Sequence, residues 1–318
     1  MKVLANDGLS NSGINELKSA GFDVITDKVE QDSLIDYINS NNIEVILVRS
    51  ATQVRKDIID QCASLKIIGR GGVGMDNIDV DYARDKGLLV INTPAASSQS
   101  VAELVMAHLF NVSRFVYDSN RNMPVDGHNS FKVLKKKYAK GKELRGKTLG
   151  VIGFGRIGQF TAKYALGNGM KILAYDPFIP EANLSIEIGD KIVDITIITT
   201  NLNDLLKQAD YISLHVPMPE NKKPVITKSE FDIMKDGVMI VNAARGGVID
   251  EDDLINAINN GKVAAAALDV FVGEPSPRAD VLALANTSLT PHIGAATSEA
   301  QDRIGTELAD KIKDFYQK

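Results

Sequence analysis

The stretch Lys147–Asp176, KTLGVIGFGRIGQFTAKYALGNGMKILAYD, carries the strongest architectural signal in the chain. An apolar run, Leu149-Gly150-Val151-Ile152, breaks at Gly153-Phe154-Gly155-Arg156-Ile157-Gly158. Helix-compatible residues follow to Leu166, and a second apolar run, Ile172–Tyr175, ends in Asp176. Strand, glycine turn, helix, strand and acid in that order predict a βαβ unit. Each glycine has its own task there: Gly153 makes the tight turn, Gly155 lets the backbone approach a pyrophosphate, and Gly158 lets the helix pack closely on the strand. The helix start offers free N–H groups and the positive end of its dipole to that pyrophosphate. Asp176, 23 residues after Gly153, stands where a carboxylate accepts the ribose hydroxyls of an adenosine. A glycine-rich βα turn that binds nothing would leave Asp176 without a purpose. The stretch therefore reads as a dinucleotide site. NAD is expected over NADP, because a 2′-phosphate would meet like charge and Pro177-Phe178-Ile179 supplies no arginine to offset it.

The same alternation extends towards the N-terminus. Val3-Leu4-Ala5, Val24-Ile25, Val45–Val48, Ile67-Ile68 and Leu88–Ile91 are strand candidates. Helical faces lie between them, at Gly13–Ala20, Leu34-Ile35-Ile38 and Ile58-Ile59-Cys62. Strands alternating with helices imply parallel sheets with right-handed crossovers, whose ligands sit at the strand C-terminal ends. At Asn92-Thr93-Pro94 the rhythm stops and a long helix begins. Ser100 and Glu103 read as its capping box, and Val101, Leu104, Val105, His108, Leu109 and Val112 as its apolar stripe, with His108 a packed core histidine. Residues 120–145 are polar and lysine-rich and read as a surface arm or linker. Residues 185–200 alternate apolar and polar side chains and read as an inserted β-hairpin. The α/β rhythm then resumes to the last helix, about Thr297 to Phe315. The expected architecture is α/β, with two doubly wound parallel-sheet domains. A flavodoxin-like substrate domain, 1–95 completed by 290–318, and a Rossmann nucleotide domain, 96–289, are expected to enclose the active site in a cleft.

Length and composition agree with this division. The 318 residues suffice for two ordinary cores, and 44% hydrophobic content with a mean hydropathy of -0.06 describes a soluble globular chain. No apolar run approaches the roughly 18–20 residues needed to cross a bilayer, and the N-terminus turns polar too early for a signal peptide, so a cytoplasmic location is expected. The lone Cys62 excludes an internal disulfide and has no metal-ligand spacing around it; no metal is expected. A net charge of -5 argues against a nucleic-acid partner, and Lys135-Lys136-Lys137 reads as a solvated face.

Three reactive side chains follow strands in the second half. Arg245, flanked by Gly246-Gly247, offers a planar fork for a carboxylate. His292, after Pro291, is matched to proton transfer near neutral pH. Glu274 could accept the second imidazole N–H, fixing the tautomer and favouring the protonated ring. Singly, each has an ordinary structural reading; together, on the strand edge that carries the glycine turn, they suggest a catalytic set.

At this point the chain resembles the D-isomer-specific 2-hydroxyacid dehydrogenases, and within them the short members that act on D-3-phosphoglycerate. The resemblance covers nearly the whole chain through Gly69–Asp79 (GRGGVGMDNID), Thr148–Gly158, Leu214–Pro217 (LHVP), Val241–Asp250 (VNAARGGVID), Ala267–Pro275 (ALDVFVGEP) and Thr290–Gly294 (TPHIG). It implies that Arg245 binds the substrate carboxylate and keto oxygen, that His292 is the acid/base, and that Glu274 orients it. It also implies cofactor contacts at Arg156, Ile157, Asp176, His215, Pro217, Ala243, Ala244, Asp269 and Gly294. Substrate contacts are implied at Arg49, Ser50 and Thr52 and at Arg70, Gly72, Val73 and Gly74. Arg49 and Arg70, with Ser50 and Thr52, form a candidate seat for the phosphate of a phosphorylated 2-hydroxy acid. A homodimer is the expected assembly. The chain ends at Lys318 without the C-terminal regulatory domain of longer relatives, so serine feedback through it is not expected. Rival readings are a dehydrogenase for another 2-hydroxy acid, such as glycerate, hydroxypyruvate, glyoxylate or D-lactate, and a non-catalytic NAD sensor.

Overall fold

A five-stranded parallel sheet, a six-stranded parallel sheet and a separate antiparallel pair organise the chain. The protein is described by a computed structural model at residues 1–219 and 221–317. It divides into two units, Met1–Ser98 with Ala295–Lys318, and Gln99–Gly294.

In the first unit the strands are β1 (Lys2–Ala5), β2 (Asp23–Ile25), β3 (Val45–Val48), β4 (Ile67–Arg70) and β5 (Leu89–Asn92). They stand in the order β2-β1-β3-β4-β5. Helices α1 (Asn11–Ser19), α2 (Leu34–Asn41), α3 (Lys56–Gln61) and α4 (Val80–Asp85) connect them. All four residues of β3 are buried, as a strand covered on both faces requires. The second cover is the C-terminal helix Ser298–Tyr316, which buries Ile304, Leu308 and Ile312 with Val3, Val45 and Ile67. Each such side chain contributes roughly 1.5–3 kcal/mol on burial. Gly13 of α1 meets that helix at Gly305 so closely that a Cβ on Gly13 would stand 2.7 Å from its backbone.

The second unit opens with α5 (Ser98–Arg114) and α6 (Val116–Lys137). Next come β6 (Thr148–Ile152), α7 (Arg156–Gly167), β7 (Lys171–Tyr175) and the hairpin of β8 (Glu181–Ile188) and β9 (Lys191–Ile198). It continues through α8 (Leu202–Gln208), β10 (Tyr211–Leu214), α9 (Lys228–Ile233), β11 (Val238–Asn242) and α10 (Glu251–Asn259). It closes with β12 (Val263–Leu268), α11 (Ala279–Leu282) and β13 (Thr287–Leu289). The sheet order β13-β12-β11-β10-β6-β7 reverses its winding between β6 and β10, which puts a crevice at the ends of those two strands.

Several details depart from the sequence reading. Residues 120–145, read as an arm or linker, are mostly helical: the greater part belongs to α6, which kinks at Ser130. The kink brings its end back on its start, where Asp118 accepts from Lys137 Nζ and from the Tyr138 hydroxyl, both at 2.7 Å. Paired polar groups, rather than an apolar stripe, hold this helix, so periodicity did not reveal it. Helix α5 begins at Ser98, which leaves Ser100 inside it, while Glu103 accepts from Gln99 at 2.9 Å; they form no capping box. The hairpin starts at Glu181, four residues early, because Leu184 is buried against the core beneath it. Residues 290–294 stay with the second unit, since Asp269 binds the segment directly.

Candidate functional site

The glycine turn shows why each glycine is there. Gly153 has φ +91°, and a Cβ on it would lie 2.7 Å from the carbonyl of His215. A Cβ on Gly158 would lie 2.2 Å from Gly153 O. Gly155, the N-cap of α7, has no side-chain cap, and a Cβ there would meet nothing within 4 Å. The first-turn N–H groups at Arg156 and Ile157 thus open onto a space that any side chain at 155 would fill. That arrangement fits a pyrophosphate. Asp176 closes the turn: Oδ2 accepts from Phe154 N at 2.8 Å, and Oδ1 accepts from Phe178 N at 2.9 Å and Ile179 N at 3.2 Å.

Across the reversal, His215 N–H donates to Ile152 O at 2.7 Å and its Nε2 lies 2.9 Å from Ser213 Oγ. Burial pushes its pKa down to about 3, so the ring is neutral at any ordinary pH. Pro217 follows it in the segment leading away from β10.

Beyond β11, buried Asn242 shapes the turn through Ala243 and Ala244. Its Oδ1 accepts from Ala244 N at 3.1 Å and its Nδ2 donates to Arg245 O at 2.9 Å. The Arg245 guanidinium donates from Nη1 to Ala244 O at 2.7 Å. A Cβ on Gly246 would stand 2.0 Å from Phe271 O, so the Arg245 turn lies directly against the turn that carries Glu274. Glu274 Oε1 accepts from Phe271 N at 2.9 Å, and Oε2 lies 2.7 Å from His292 Nδ1. Burial alone would raise the pKa of Glu274. The bonds from His292 and Phe271 N–H, with the charges of His292 and Arg245, hold it below the usual carboxylate range instead. His292 sits at φ +54° with its side chain partly exposed, its Nδ1 held and Nε2 available. Asp269 is buried and accepts from Ile293 N at 2.8 Å and Gly294 N at 2.9 Å. The second unit thus assembles Arg245, Glu274 and His292 into one contiguous set.

In the first unit, the candidate substrate loops follow neighbouring strands: Val48 pairs with Arg70 in register, and the sheet reverses between β1 and β3. The stem of Arg49 passes 3.6 Å from where a Cβ on Gly71 would stand. The Arg49 loop is tied down by Asp7, a residue the sequence reading overlooked. Asp7 accepts from Arg49 N at 2.7 Å, Thr52 N at 3.0 Å, Thr52 Oγ1 at 2.7 Å and Lys28 Nζ at 2.6 Å. Asn77 Nδ2 adds bonds to Arg49 O and Thr52 O. Thr52 is therefore a correction: it is buried and its hydroxyl is committed to Asp7 and Asn6, so it braces the loop instead of facing a ligand. Ser50 is exposed and Arg49 partly so. Asp79, which could have neutralised Arg49, is taken by Arg55 at 3.1 Å. Gly72 is buried under the Arg70 guanidinium, which a Cβ at 72 would strike, whereas Val73 is exposed and Gly74 partly so. The position of Asp7, one residue past the apolar Val3-Leu4-Ala5 run and Asn6, was a usable signal, since strand ends in parallel sheets are where loops need anchors.

Residues 106–294 match the family described as D-isomer specific 2-hydroxyacid dehydrogenase, NAD binding domain. The chain is 46% identical over 315 residues to a hydroxypyruvate reductase of Thermotoga maritima, covering 98% of this chain and 97% of the relative. It is 42% identical over 313 residues to a D-3-phosphoglycerate dehydrogenase of Methanocaldococcus jannaschii, covering 98% of this chain but only 57% of that protein. Among solved structures, an NAD+-bound 3-phosphoglycerate dehydrogenase of Entamoeba histolytica superposes with a TM-score of 0.79 at 27% identity, covering 100% of this chain and 95% of that one. Among the described residues no helix is long and apolar enough to cross a membrane.

Proposed function

The chain belongs to the D-isomer specific 2-hydroxyacid dehydrogenase family, and from that premise we propose that it oxidises D-3-phosphoglycerate reversibly to 3-phosphohydroxypyruvate with NAD, as the entry to serine synthesis. NAD held at the Gly153–Gly158 turn and Asp176 would supply the hydride acceptor for oxidation and the hydride donor for reduction. Arg245 grips the carboxylate bidentately, which orients C2 and stabilises charge on its oxygen. His292 Nε2 takes the C2 hydroxyl proton during oxidation and returns it during reduction. Glu274 keeps Nδ1 protonated and the ring upright. The observation that carries the acid/base assignment is the 2.7 Å contact between His292 Nδ1 and Glu274 Oε2, which leaves Nε2 as the reacting nitrogen.

The phosphate is assigned to Arg49, Ser50 and Arg70, with Gly72, Val73 and Gly74 shaping the second loop. Arg49 lies on a loop already fixed by Asp7, so little ordering is lost when an anion binds. The 46% identity to a hydroxypyruvate reductase, against 42% to a phosphoglycerate dehydrogenase, favours unphosphorylated hydroxypyruvate as the second reading. NADH absorbance with both keto acids separates the two. Arg49→Ala or Arg70→Ala should raise KM for 3-phosphohydroxypyruvate far more than for hydroxypyruvate, and equal losses on both would refute the phosphate seat. A second copy of the chain is the expected partner, with the exposed Val125, Phe131 and Val133 of α6 as its contact surface. Sedimentation of a Phe131→Glu variant tests that surface.

A further inference from the structure

His108 is buried on α5 and is tied at both ring nitrogens. Nδ1 lies 3.0 Å from Ser288 Oγ, and Nε2 lies 3.0 Å from Thr290 Oγ1. The donor directions follow by elimination. Thr290 Oγ1 stands 2.6 Å from Asp269 Oδ1, and an ionised carboxylate has no hydrogen to give, so the threonine hydroxyl donates. With its one hydrogen committed, Thr290 Oγ1 accepts from His108 Nε2–H. The ring is neutral, because burial pushes its pKa down against the opposing pull of the Asp269 charge. A neutral ring protonated at Nε2 presents Nδ1 as an acceptor, so Ser288 Oγ–H donates to it. Asn111 Nδ2 in turn donates to Ser288 Oγ at 2.8 Å. Every bond points one way, from Asn111 through Ser288, His108 and Thr290 to the Asp269 carboxylate. Bonds aligned in this manner polarise and strengthen one another.

Asp269 passes that constraint to the backbone around His292. Its two oxygens take the N–H groups of Ile293 and Gly294, while its Oδ1 also holds the Thr290 hydroxyl. His292 lies between these ties at φ +54°, a conformation that costs a non-glycine residue roughly 1–3 kcal/mol and persists only where its surroundings over-determine it. The turn has little room to slide, since a Cβ on Gly294 would stand 3.2 Å from Asp269 Oδ2 and 3.3 Å from Val101.

We propose that the buried chain Asn111, Ser288, His108, Thr290 and Asp269 is a positioning device for His292, holding the 290–294 turn so that Nδ1 meets Glu274 and Nε2 faces the substrate. It rests on the reading of His292 as the acid/base. Asn111, Ser288, His108 and Thr290 are assigned no contact with substrate or cofactor, and they act through the turn. Because Asp269 is also assigned a cofactor contact, the test is placed on Thr290.

Thr290→Val removes the hydroxyl at nearly constant volume, and Thr290→Ser restores it. The protein has four histidines, so imidazole resonances from ¹³C-histidine labelling are few, and His292→Ala identifies the one that matters. In Thr290→Val, kcat should fall roughly 10–100-fold, as a displacement near 1 Å does. NADH affinity by fluorescence titration should stay within about 2-fold, and the His292 resonances should move. Thr290→Ser should return both. Ser288→Ala, which withdraws the donor to Nδ1 and the acceptor of Asn111 Nδ2 but leaves the Thr290–Asp269 bond in place, should act in the same direction with a smaller loss, and it serves if Thr290→Val does not fold. A lower melting temperature with unchanged kcat and unchanged His292 resonances would overturn the proposal and leave a packed polar cluster. So would a fall in kcat with His292 unmoved. Resonances that move and are restored by serine, with kcat unchanged throughout, would uphold the positioning device and refute the acid/base role of His292 instead.

Discussion

Mild acidification should destabilise this protein through His215 before the depressed carboxylates Asp7, Asp210 and Glu274 are protonated. Burial holds the folded pKa of His215 at about 3, whereas the unfolded chain titrates at the ordinary value near 6.5. Below pH 6.5 the unfolded state therefore binds a proton that the folded state refuses, and stability falls as pH falls. The full difference, about 3.5 pH units at roughly 1.36 kcal/mol each, approaches about 5 kcal/mol below pH 3. At about pH 5 the loss from His215 alone is about 2 kcal/mol, set almost wholly by the unfolded chain because the folded ring is still neutral there. His108, lowered for the same reason, adds to the loss in the same window. Asp7, Asp210 and Glu274 have depressed folded values, so their contributions disappear only at lower pH, as each is protonated in the native state. Urea titrations followed by circular dichroism at about pH 7.5 and about pH 5, on the protein and on His215→Gln, isolate the histidine. The variant should lose about 2 kcal/mol less than the parent over that interval. Equal losses in both would mean that His215 is solvated or protonated in the folded state, and the argument for a neutral ring beside Gly153 would fail.

Other outcomes follow from the site. His292→Ala should lower kcat by roughly 10²–10⁴ while leaving NADH binding nearly intact; near-normal turnover would remove the acid/base assignment. Glu274→Gln withdraws the charge that favours the imidazolium, so the alkaline limb of keto-acid reduction should move to lower pH, and an unmoved profile would count against the pair. Comparing kcat/KM for NADH and NADPH should favour NADH, and the reverse order would sink the role of Asp176. Gly246→Ala forces a Cβ against Phe271 O and should cost about 1–3 kcal/mol along with activity, whereas Gly155→Ala should fold normally and weaken cofactor binding. Equal stability losses in the two would contradict the geometry of both turns.

Much of this was legible because parallel α/β units announce themselves. Five short β-branched runs before residue 95 and the glycine turn sufficed for both sheets, since strands buried on both faces leave continuous apolar runs and their loops are short. Arg245, Glu274 and His292 were legible as strand-end residues, although their mutual distances were not. What escaped was held by polar side chains. Helix α6 depends on Asp118 reaching Lys137 and Tyr138 across a kink, and no periodicity encodes that return. His108 reads as core from its stripe, and it is core; its partners Ser288 and Thr290 lie 180 and 182 residues away, beyond any local pattern. Thr52 shows the opposite error, a hydroxyl assigned outward from its type when Asp7 had already claimed it.

Asp7 shares with Asp176 and Asp269 one arrangement that changes how the cofactor assignment must be tested. Asp7, Asp176 and Asp269 each follow a parallel strand, and each accepts at least two backbone N–H groups from a loop that the ligand is assigned to meet. Bonds from N–H to an ionised carboxylate are about twice as strong as neutral ones, so such an acid fixes a loop before any ligand arrives. For Asp176 this means two tasks in one side chain: it ties Phe154 of the glycine turn to Phe178 and Ile179 beyond β7, and it is assigned to the ribose. Asp176→Ala would release both segments, and a loss of NAD affinity would not distinguish a missing ribose contact from a disordered turn. Asp176→Asn removes the charge and keeps one acceptor oxygen, giving up either the Phe154 tie or the Phe178 and Ile179 ties, so the informative readout is the ratio of the two cofactors and not either affinity alone. If the carboxylate repels a 2′-phosphate, the asparagine variant should narrow the gap between NADH and NADPH chiefly by improving NADPH. If the carboxylate serves only the loop, both cofactors should weaken together, and the ratio should stay where it was.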